Sequence, residues 1–421
     1  MSKFTKLLLI PVTILSLTTA SFAQDFRMGD ETKGLKVKIS DDTDISIRIR
    51  MQPRVDSGDL IASKDGRSYE SEMDMYLRRI RLEMDGKLVS DLKFNLTFEG
   101  DKNGIRGKES ASKSNEVKVL YAYLDYKFAD EANLRFGKAK LPFSRVSLTS
   151  SSKQLLIERP VSTEAAKKLF DDYYQTNAML HGSFAEGVIA YNIDRADGWE
   201  NGNYLNGKDA TEGKVFKADP LYIARIEVSP PGLVEKSKSD AHLGQGRHLT
   251  LGLSYATQKS IDYSHFGSTY NATTGKTTET ASNNDEDRSL IGADISAHFG
   301  GLTLQGEYIA WKIDYSAVGK DAKEPKGLYV QAGYFIPGLN IEPVARYEVY
   351  DHNSNAAATA DNTKEKDTTI GVNWYGKGHS FKVGANWVHS TYEDNVTSDV
   401  KVKGSDEDSR DMYQLQAQLY F

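Results

Sequence analysis

The chain has 421 residues with 53 basic and 59 acidic side chains, a formal charge of −6, no cysteine, 23 tyrosines and 16 phenylalanines. The acidic balance excludes a non-specific nucleic-acid binder, which needs a basic surface, and the missing cysteines exclude disulfide staples. A mean hydropathy of −0.52 does not exclude a membrane barrel, because such a barrel hides only every second residue of each strand in lipid.

At the N-terminus, Lys3 and Lys6 precede the apolar run LLLIPVTILSL (7–17) and the small residues SFA (21–23). This order predicts a secretory signal peptide over residues 1–23, cut after Ala23. The run is short for a helical span of roughly 20 residues, and no later stretch reaches even 18. Removing Lys3 and Lys6 takes the formal charge from −6 to −8. A lead-in segment, 24–43, then precedes a single barrel domain expected over 44–421.

Alternating segments follow in chain order at 44–55, 74–85, 91–99, 117–128 and 132–140, then at 174–184, 187–194, 221–229 and 248–258. The last third adds 288–299, 302–314, 327–336, 340–350, 368–376, 380–390 and 412–421. They number about sixteen, and most are near the roughly 9–11 residues of a tilted membrane strand. In 91–99, Leu92, Phe94, Leu96 and Phe98 take one face and Lys93, Asn95, Thr97 and Glu99 the other. Successive side chains of a strand point to opposite faces, so each segment separates an apolar medium from a polar one. The last strand repeats this: Tyr413, Leu415, Ala417, Leu419 and Phe421 alternate with Gln414, Gln416 and Gln418.

The connectors decide between a soluble sandwich and a barrel. Short ones (85–90, 129–131, 185–187, 300–301, 337–339, 376–379) alternate with long polar ones (56–73, 100–116, 141–173, 195–220, 259–287, 315–326, 351–367, 391–411). Residues 230–247 break the pattern where a short turn is due. Brief turns on one side and extended loops on the other predict an all-β transmembrane antiparallel barrel with both termini on the short-turn side. Tyr76, Tyr126, Tyr308, Trp311, Trp374 and Trp387 are candidates for its interfacial girdles.

The second face is charged or amide-bearing, which predicts a water-filled lumen. Candidate lumen cations are Arg79, Arg81, Lys93, Lys118 and Arg135 on early strands. The longest connector, 141–173, adds Arg145, Lys153, Arg159, Lys167 and Lys168. Arginine and lysine in a narrow, low-dielectric pore lower the barrier to anions, and each of these residues has salt bridging as its structural alternative. The pieces LLIE (155–158) and AAKKLF (165–170) are semi-apolar and suit packing on a barrel wall, so this connector is the expected constriction. The acidic tips 283–288 and 405–411 read as solvated loops, with bridging of divalent ions on lipopolysaccharide as the second reading.

Several stretches resemble the phosphate-selective porin O and P family: YLRRIRLEMDGKLVSDLKFNLTFE (76–99), LRFGKAKLPFSRVSLTSSSKQLLIER (134–159), TTIGVNWYGKGHSFKVGANWVH (368–389) and the closing LQAQLYF. The resemblance implies a sixteen-stranded, trimeric outer-membrane channel for passive uptake of small anions, phosphate among them, with an inward-folded third loop. It places Arg159 of LLIER at that loop's basic position. The sequence departs from selective members in holding only Arg145 as a cation in 141–152. A general diffusion porin shares the architecture, and a structural or adhesive barrel is a further alternative. An enzyme is disfavoured: the eight histidines are scattered, no G-x-S-x-G or H-E-x-x-H occurs, and no cofactor is implied.

Overall fold

The structure, a computed structural model, describes residues 34–62, 69–103, 117–170, 172–198, 214–271, 276–283, 286–316, 320–356, 363–394, 396 and 408–421. The expected signal peptide lies outside the described residues, as do residues 284–285 of the acidic tip 283–288 and 405–407 of the tip 405–411. The first strands are β1 (Leu35–Lys38), β2 (Asp44–Ala62), β3 (Tyr69–Val89), β4 (Leu92–Asn103), β5 (Val117–Ala129) and β6 (Ala132–Lys140). Two short helices follow, α1 (Arg145–Leu148) and α2 (Val161–Leu169). Next come β7 (Tyr174–Phe184), β8 (Ile189–Ala196), β9 (Lys214–Lys217), β10 (Leu221–Val228), β11 (His248–Asn271), β12 (Lys276–Asn283) and β13 (Glu286–Phe299). The remainder are β14 (Leu302–Tyr315), β15 (Lys326–Tyr334), β16 (Ile341–Asp351), β17 (Lys364–Lys377), β18 (Phe381–Tyr392) and β19 (Ser409–Tyr420).

Among the described residues, sixteen of these strands close into one antiparallel barrel. Each pairs with its sequence neighbour, β8 pairs with β10, β11 with β13, and β19 returns to β2 with Leu415 opposite Val55 and Gln414 opposite Asp56. β1 pairs with the start of β2, while β9 and β12 pair with the far half of β11. The expected loop 259–287 is therefore largely strand. Its Thr, Ser and Tyr content reads as loop by polarity, yet β-branched and aromatic side chains favour extended backbone. The expected turn 85–90 is also strand. Residues 44–48 pair with 83–87, which carries β3 on to Val89 and leaves the turn at Ser90 and Asp91.

The cylinder is apolar outside and polar inside. Leu251, Leu253 and Tyr255 are exposed, whereas Thr250 and Ser254, of the opposite parity, are buried. Tyr413 is 57% exposed and its neighbour Gln414 4%. Of the girdle candidates, Tyr126, Tyr308 and Trp374 face outward, but Tyr76 and Trp311 are buried on the inner face. The cause at Tyr76 is a bulge. Gln52 pairs with Arg79 but Pro53 with Leu77, so Arg78 is the extra residue, beside a proline that has no N–H for the ladder. The alternation resets there: Tyr76, Arg78, Arg79 and Arg81 all turn inward. Trp311 follows simple parity with Glu307 and stacks on Tyr350 at 5.7 Å.

An arginine on the outer face would sit in hydrocarbon. Leu253→Arg is expected to cost about 2–4 kcal/mol of folding stability near the bilayer midplane. Equilibrium urea titration in lipid vesicles measures this, and an unchanged midpoint would contradict a lipid-facing Leu253.

Candidate functional site

Residues 141–170 carry two apolar anchors separated by a polar stretch. Leu141, Phe143, Ala166, Leu169 and Phe170 cluster with Ile223, Leu290, Ile309, Trp311 and Tyr350 on the inner faces of β10, β13, β14 and β16. Leu155 and Leu156 cluster with Phe335, Val344 and Tyr375 near the short-turn end. Burying each large side chain completely contributes roughly 1.5–3 kcal/mol. These are the semi-apolar pieces read in the sequence, and their packing explains their composition.

Polar contacts tie the same segment to seven strands. Arg50 Nη1 donates to Ser151 Oγ (2.9 Å), Lys382 Nζ to the Gln154 carbonyl (2.6 Å), and Asn373 to the Leu155 carbonyl (2.7 Å). Gln418 donates to the Ser152 carbonyl (3.2 Å), Arg346 to that of Glu158 (2.9 Å), and Arg288 to that of Leu169 (2.6 Å). Glu307 accepts from Ser144 Oγ (2.9 Å) and the Arg145 N–H (3.1 Å), while Glu348 accepts the first N–H of α2 at Val161 (2.6 Å). An N–H with no partner inside the helix is thus satisfied by a carboxylate, the sign of charge that a helix N-terminus favours.

The densest charge lies between this segment and β2–β3. Arg54 pairs with Glu158 and with Asp56 (2.6 Å), and Arg78 Nε donates to Glu158 (2.9 Å). Arg50 pairs with Glu83 (2.7 Å) and lies over the Tyr420 ring at 4.3 Å. Other cations here rest on neutral oxygens. Arg79 donates to the Gln52 amide (3.2 Å), Lys140 to the carbonyls of Ser147 (2.6 Å) and Thr149 (3.4 Å), and Arg159 to those of Val146 (3.1 Å) and Thr149 (3.2 Å), though Arg159 also lies 3.8 Å from the Glu164 carboxylate. The wall formed by β14, β16 and β17 is acidic instead, with Glu307, Glu342, Glu348, Glu365 and Asp367 buried on its inner face.

Of the residues singled out in the sequence, Arg79, Arg81 and Arg159 belong to this cluster, Arg81 through an ion pair with Glu99. Arg135 is half-buried on Asp125 (2.7 Å), which also holds His181 (3.1 Å). Arg145 is 1% exposed and forks onto Glu235 with both contacts at 2.8 Å. Lys153 donates to Ser237 Oγ (3.1 Å), and Lys167 lies 3.4 Å from Asp172. Lys93, Lys118 and Lys168 are exposed, and Lys118 lies opposite Glu99 in register. Arg50, Arg54, Arg78, Lys140 and Lys382 were missed. Arg50 shares parity with Arg48 in RIR, a readable signal, whereas Arg54 and Arg78 follow Pro53 and the bulge opposite it.

Connector 230–247, the exception to the short-turn pattern, meets segment 141–170. The N–H groups of Asp240 and Ala241 both donate to the Lys153 carbonyl (3.1 and 2.9 Å), and Thr149 and Gln305 donate to Asp240 (both 3.0 Å). Burial opposes the charge of Arg145, but the hydrogen bond and charge of Glu235 hold its pKa above the usual arginine range.

A closed sixteen-strand barrel, greasy outside and lined with charge inside, is the architecture of an outer-membrane porin channel. The chain belongs to the family described as phosphate-selective porin O and P, whose pattern matches residues 47–421. An "Uncharacterized protein" of Aquifex aeolicus (strain VF5) is 38% identical over 416 residues, covering 93% of this chain and 91% of that protein. Among solved structures, an anion-selective porin from Comamonas acidovorans aligns with a TM-score of 0.60 at 14% identity, covering 90% of this chain and 100% of that one. The outer membrane channel DcaP of Acinetobacter baumannii aligns at 0.54 and 12% identity, covering 91% and 99%. A trimer form of OmpT of Vibrio cholerae aligns at 0.51 and 13% identity, covering 90% and 99%. These likenesses place the protein as a multi-pass barrel of the bacterial outer membrane.

Glu158 sets a pH dependence. Burial raises its pKa, but the charges of Arg78, Arg54 and Arg79 and a hydrogen bond from Arg78 outweigh this and hold it well below the usual carboxylate range. The stabilisation is therefore complete above the ordinary value of about 4.3 and is lost as pH falls through the lowered one. Open-channel current noise should stay flat from neutral pH down to about 4.3 and rise only in stronger acid. Glu158→Gln should be noisy already at neutral pH; a quiet variant would remove this pair as the anchor.

Proposed function

We propose that this protein passes small anions by diffusion through a lumen narrowed by segment 141–173, with phosphate-like oxyanions as the favoured class. The carrying observation is the pair Arg79 and Lys140, which lean on amide and carbonyl oxygens beside the Arg50, Arg54, Arg78 and Arg81 ion pairs, with Arg159 next to them on two carbonyls and 3.8 Å from Glu164. Their charge is not cancelled by the neutral oxygens they touch, and an anion is its natural complement. Arginine adds the planar fork that matches phosphate oxygens bidentately. Bonds from the segment to inward side chains of β2, β3, β13, β14, β16, β17, β18 and β19 support its placement across the lumen.

A homotrimer is supported by the trimer form of the Vibrio cholerae relative in fold, and by small outward residues such as Gly306, Ala332 and Ala345 on adjacent strands, which leave a shallow apolar groove. A weakly selective general porin is the second reading. The acidic inner wall of β14, β16 and β17 favours it, because a basic face opposite an acidic one orients dipolar solutes without strongly excluding either ion.

Reversal potentials across a planar bilayer under a potassium chloride gradient separate the two readings. The wild type should favour chloride, and phosphate should slow the chloride current. Replacing Arg159 and Lys153 with alanine should lower chloride preference several-fold, and Arg79→Gln should lower it further. Cation preference in the wild type would overturn the anion reading, and unchanged selectivity in the variants would discard these residues as its source.

A further inference from the structure

Connector 230–247 carries a second cluster, which the anion path does not use. Glu235, His242 and His248 each offer one ligand atom, and the three atoms lie within 4.8 Å of one another. Glu235 Oε1 and His242 Nε2 are 3.7 Å apart. The His242 ring lies 4.6 Å from that of His248 and 4.7 Å from that of His298, centre to centre. His248 opens β11 and His298 lies near the end of β13, directly opposite in register, so three imidazoles meet at the short-turn end.

Their hydrogen bonds leave a concave set of lone pairs. His242 and His298 each bury Nε2 without a hydrogen-bond partner, and His298 is 1% exposed. An unsatisfied buried polar atom is costly, so a native structure that keeps two side by side calls for an explanation such as an ion. Thr303 Oγ1 holds Nδ1 of His298 at 3.0 Å, and Ser296 Oγ holds Nε2 of His248 at 2.9 Å. Each hydroxyl fixes its ring and leaves the other nitrogen open, as outer partners of metal-binding histidines do. Glu235 is equally fixed, by the Arg145 fork and by the Ser239 N–H at 2.9 Å. Two of those donors occupy Oε1 and one Oε2, which leaves about one lone-pair direction open, on Oε2.

We propose that Glu235, His242 and His248 bind a divalent transition-metal ion of the zinc class, with the fourth position left to water. His298, its ring centre 6.4 Å from that of His248, stands behind the site. Imidazole nitrogens with one carboxylate oxygen suit such an ion better than calcium or magnesium, which take all-oxygen shells. Tetrahedral bonds of about 2.1 Å space the ligands by roughly 3.4 Å, so the connector closes by about an ångström on β11. The same Glu235 holds Arg145, and Asp240 holds Thr149, so the ion also braces segment 141–170 from below.

The test uses the full chain folded in detergent, stripped with a chelator and titrated with Co²⁺. One Co²⁺ per chain is expected, with the visible absorption of a tetrahedral site, displaced by Zn²⁺. His242→Ala should weaken binding roughly tenfold or more, while His389→Ala, remote from the cluster, should bind as the wild type does. No stoichiometric Co²⁺ or Zn²⁺ uptake by the wild type, or unchanged binding in His242→Ala, overturns the proposal. Circular dichroism reports whether each variant is folded. Should His242→Ala fail to fold, His248→Ala takes its place and the wild-type stoichiometry and spectrum still decide.

Discussion

A strand placed in hydrocarbon cannot leave its N–H and C=O groups to water, because water is not there. Every backbone pair must be made inside the protein, and a sheet achieves that only by closing on itself. Here the closure is the pairing of β19 with β2, running from Met412 opposite Gly58 to Tyr420 opposite Arg50. The Phe421 N–H and carbonyl complete it by exchanging hydrogen bonds with Ile49. Once the cylinder is closed, side-chain alternation assigns one face to lipid and the other to the lumen. The apolar exterior and charged interior follow from that single condition.

A charged interior carries its own cost, since an ion removed from water is unfavourable unless it is paired and hydrogen-bonded. The barrel meets this with cross-strand pairs such as Arg225 with Asp294, both 1% exposed at the side chain and 2.6 Å apart, and with bonds from arginine to main-chain carbonyls of segment 141–170. The segment in turn is held by partners it could not find in solvent. Its apolar ends sit on Trp311, Tyr350 and Phe335, and its carbonyls receive Lys382, Asn373, Arg346 and Arg288. Segment and wall are thus one network rather than a loop laid on a scaffold. The cations left on neutral oxygens give that network its electrical character.

Period-two alternation and the asymmetry of connector lengths made the barrel, its strand number and the inner face of β4, β18 and β19 legible before any coordinates. What escaped the sequence had specific causes. Pro53 shifts the register opposite Arg78, which sends Tyr76 inward against its apparent role in a girdle and places two consecutive arginines on one face. Trp311 obeys parity but was assigned by residue type. The hairpin formed by β11 and β12 is polar enough to pass for a loop. The arginine cluster was half legible: Arg79, Arg81 and Arg159 stood out, while Arg50 and Arg54 depend on which strand closes against which. The role of connector 230–247 was visible only as an anomaly of length, because its partners Thr149, Lys153 and Gln305 are distant in sequence.

Closure is open to direct measurement because the chain has no native cysteine. Val55→Cys with Leu415→Cys puts one thiol on each closing strand, on residues that face each other outside the barrel. Oxidation of the folded double variant in lipid vesicles should join them, and the unfolded product should migrate as a covalent circle. The pair Val55→Cys with Leu253→Cys, on strands that are not neighbours, should stay open. Failure of the first pair to join, with both thiols remaining free to alkylation, would contradict a closed barrel and everything built on it.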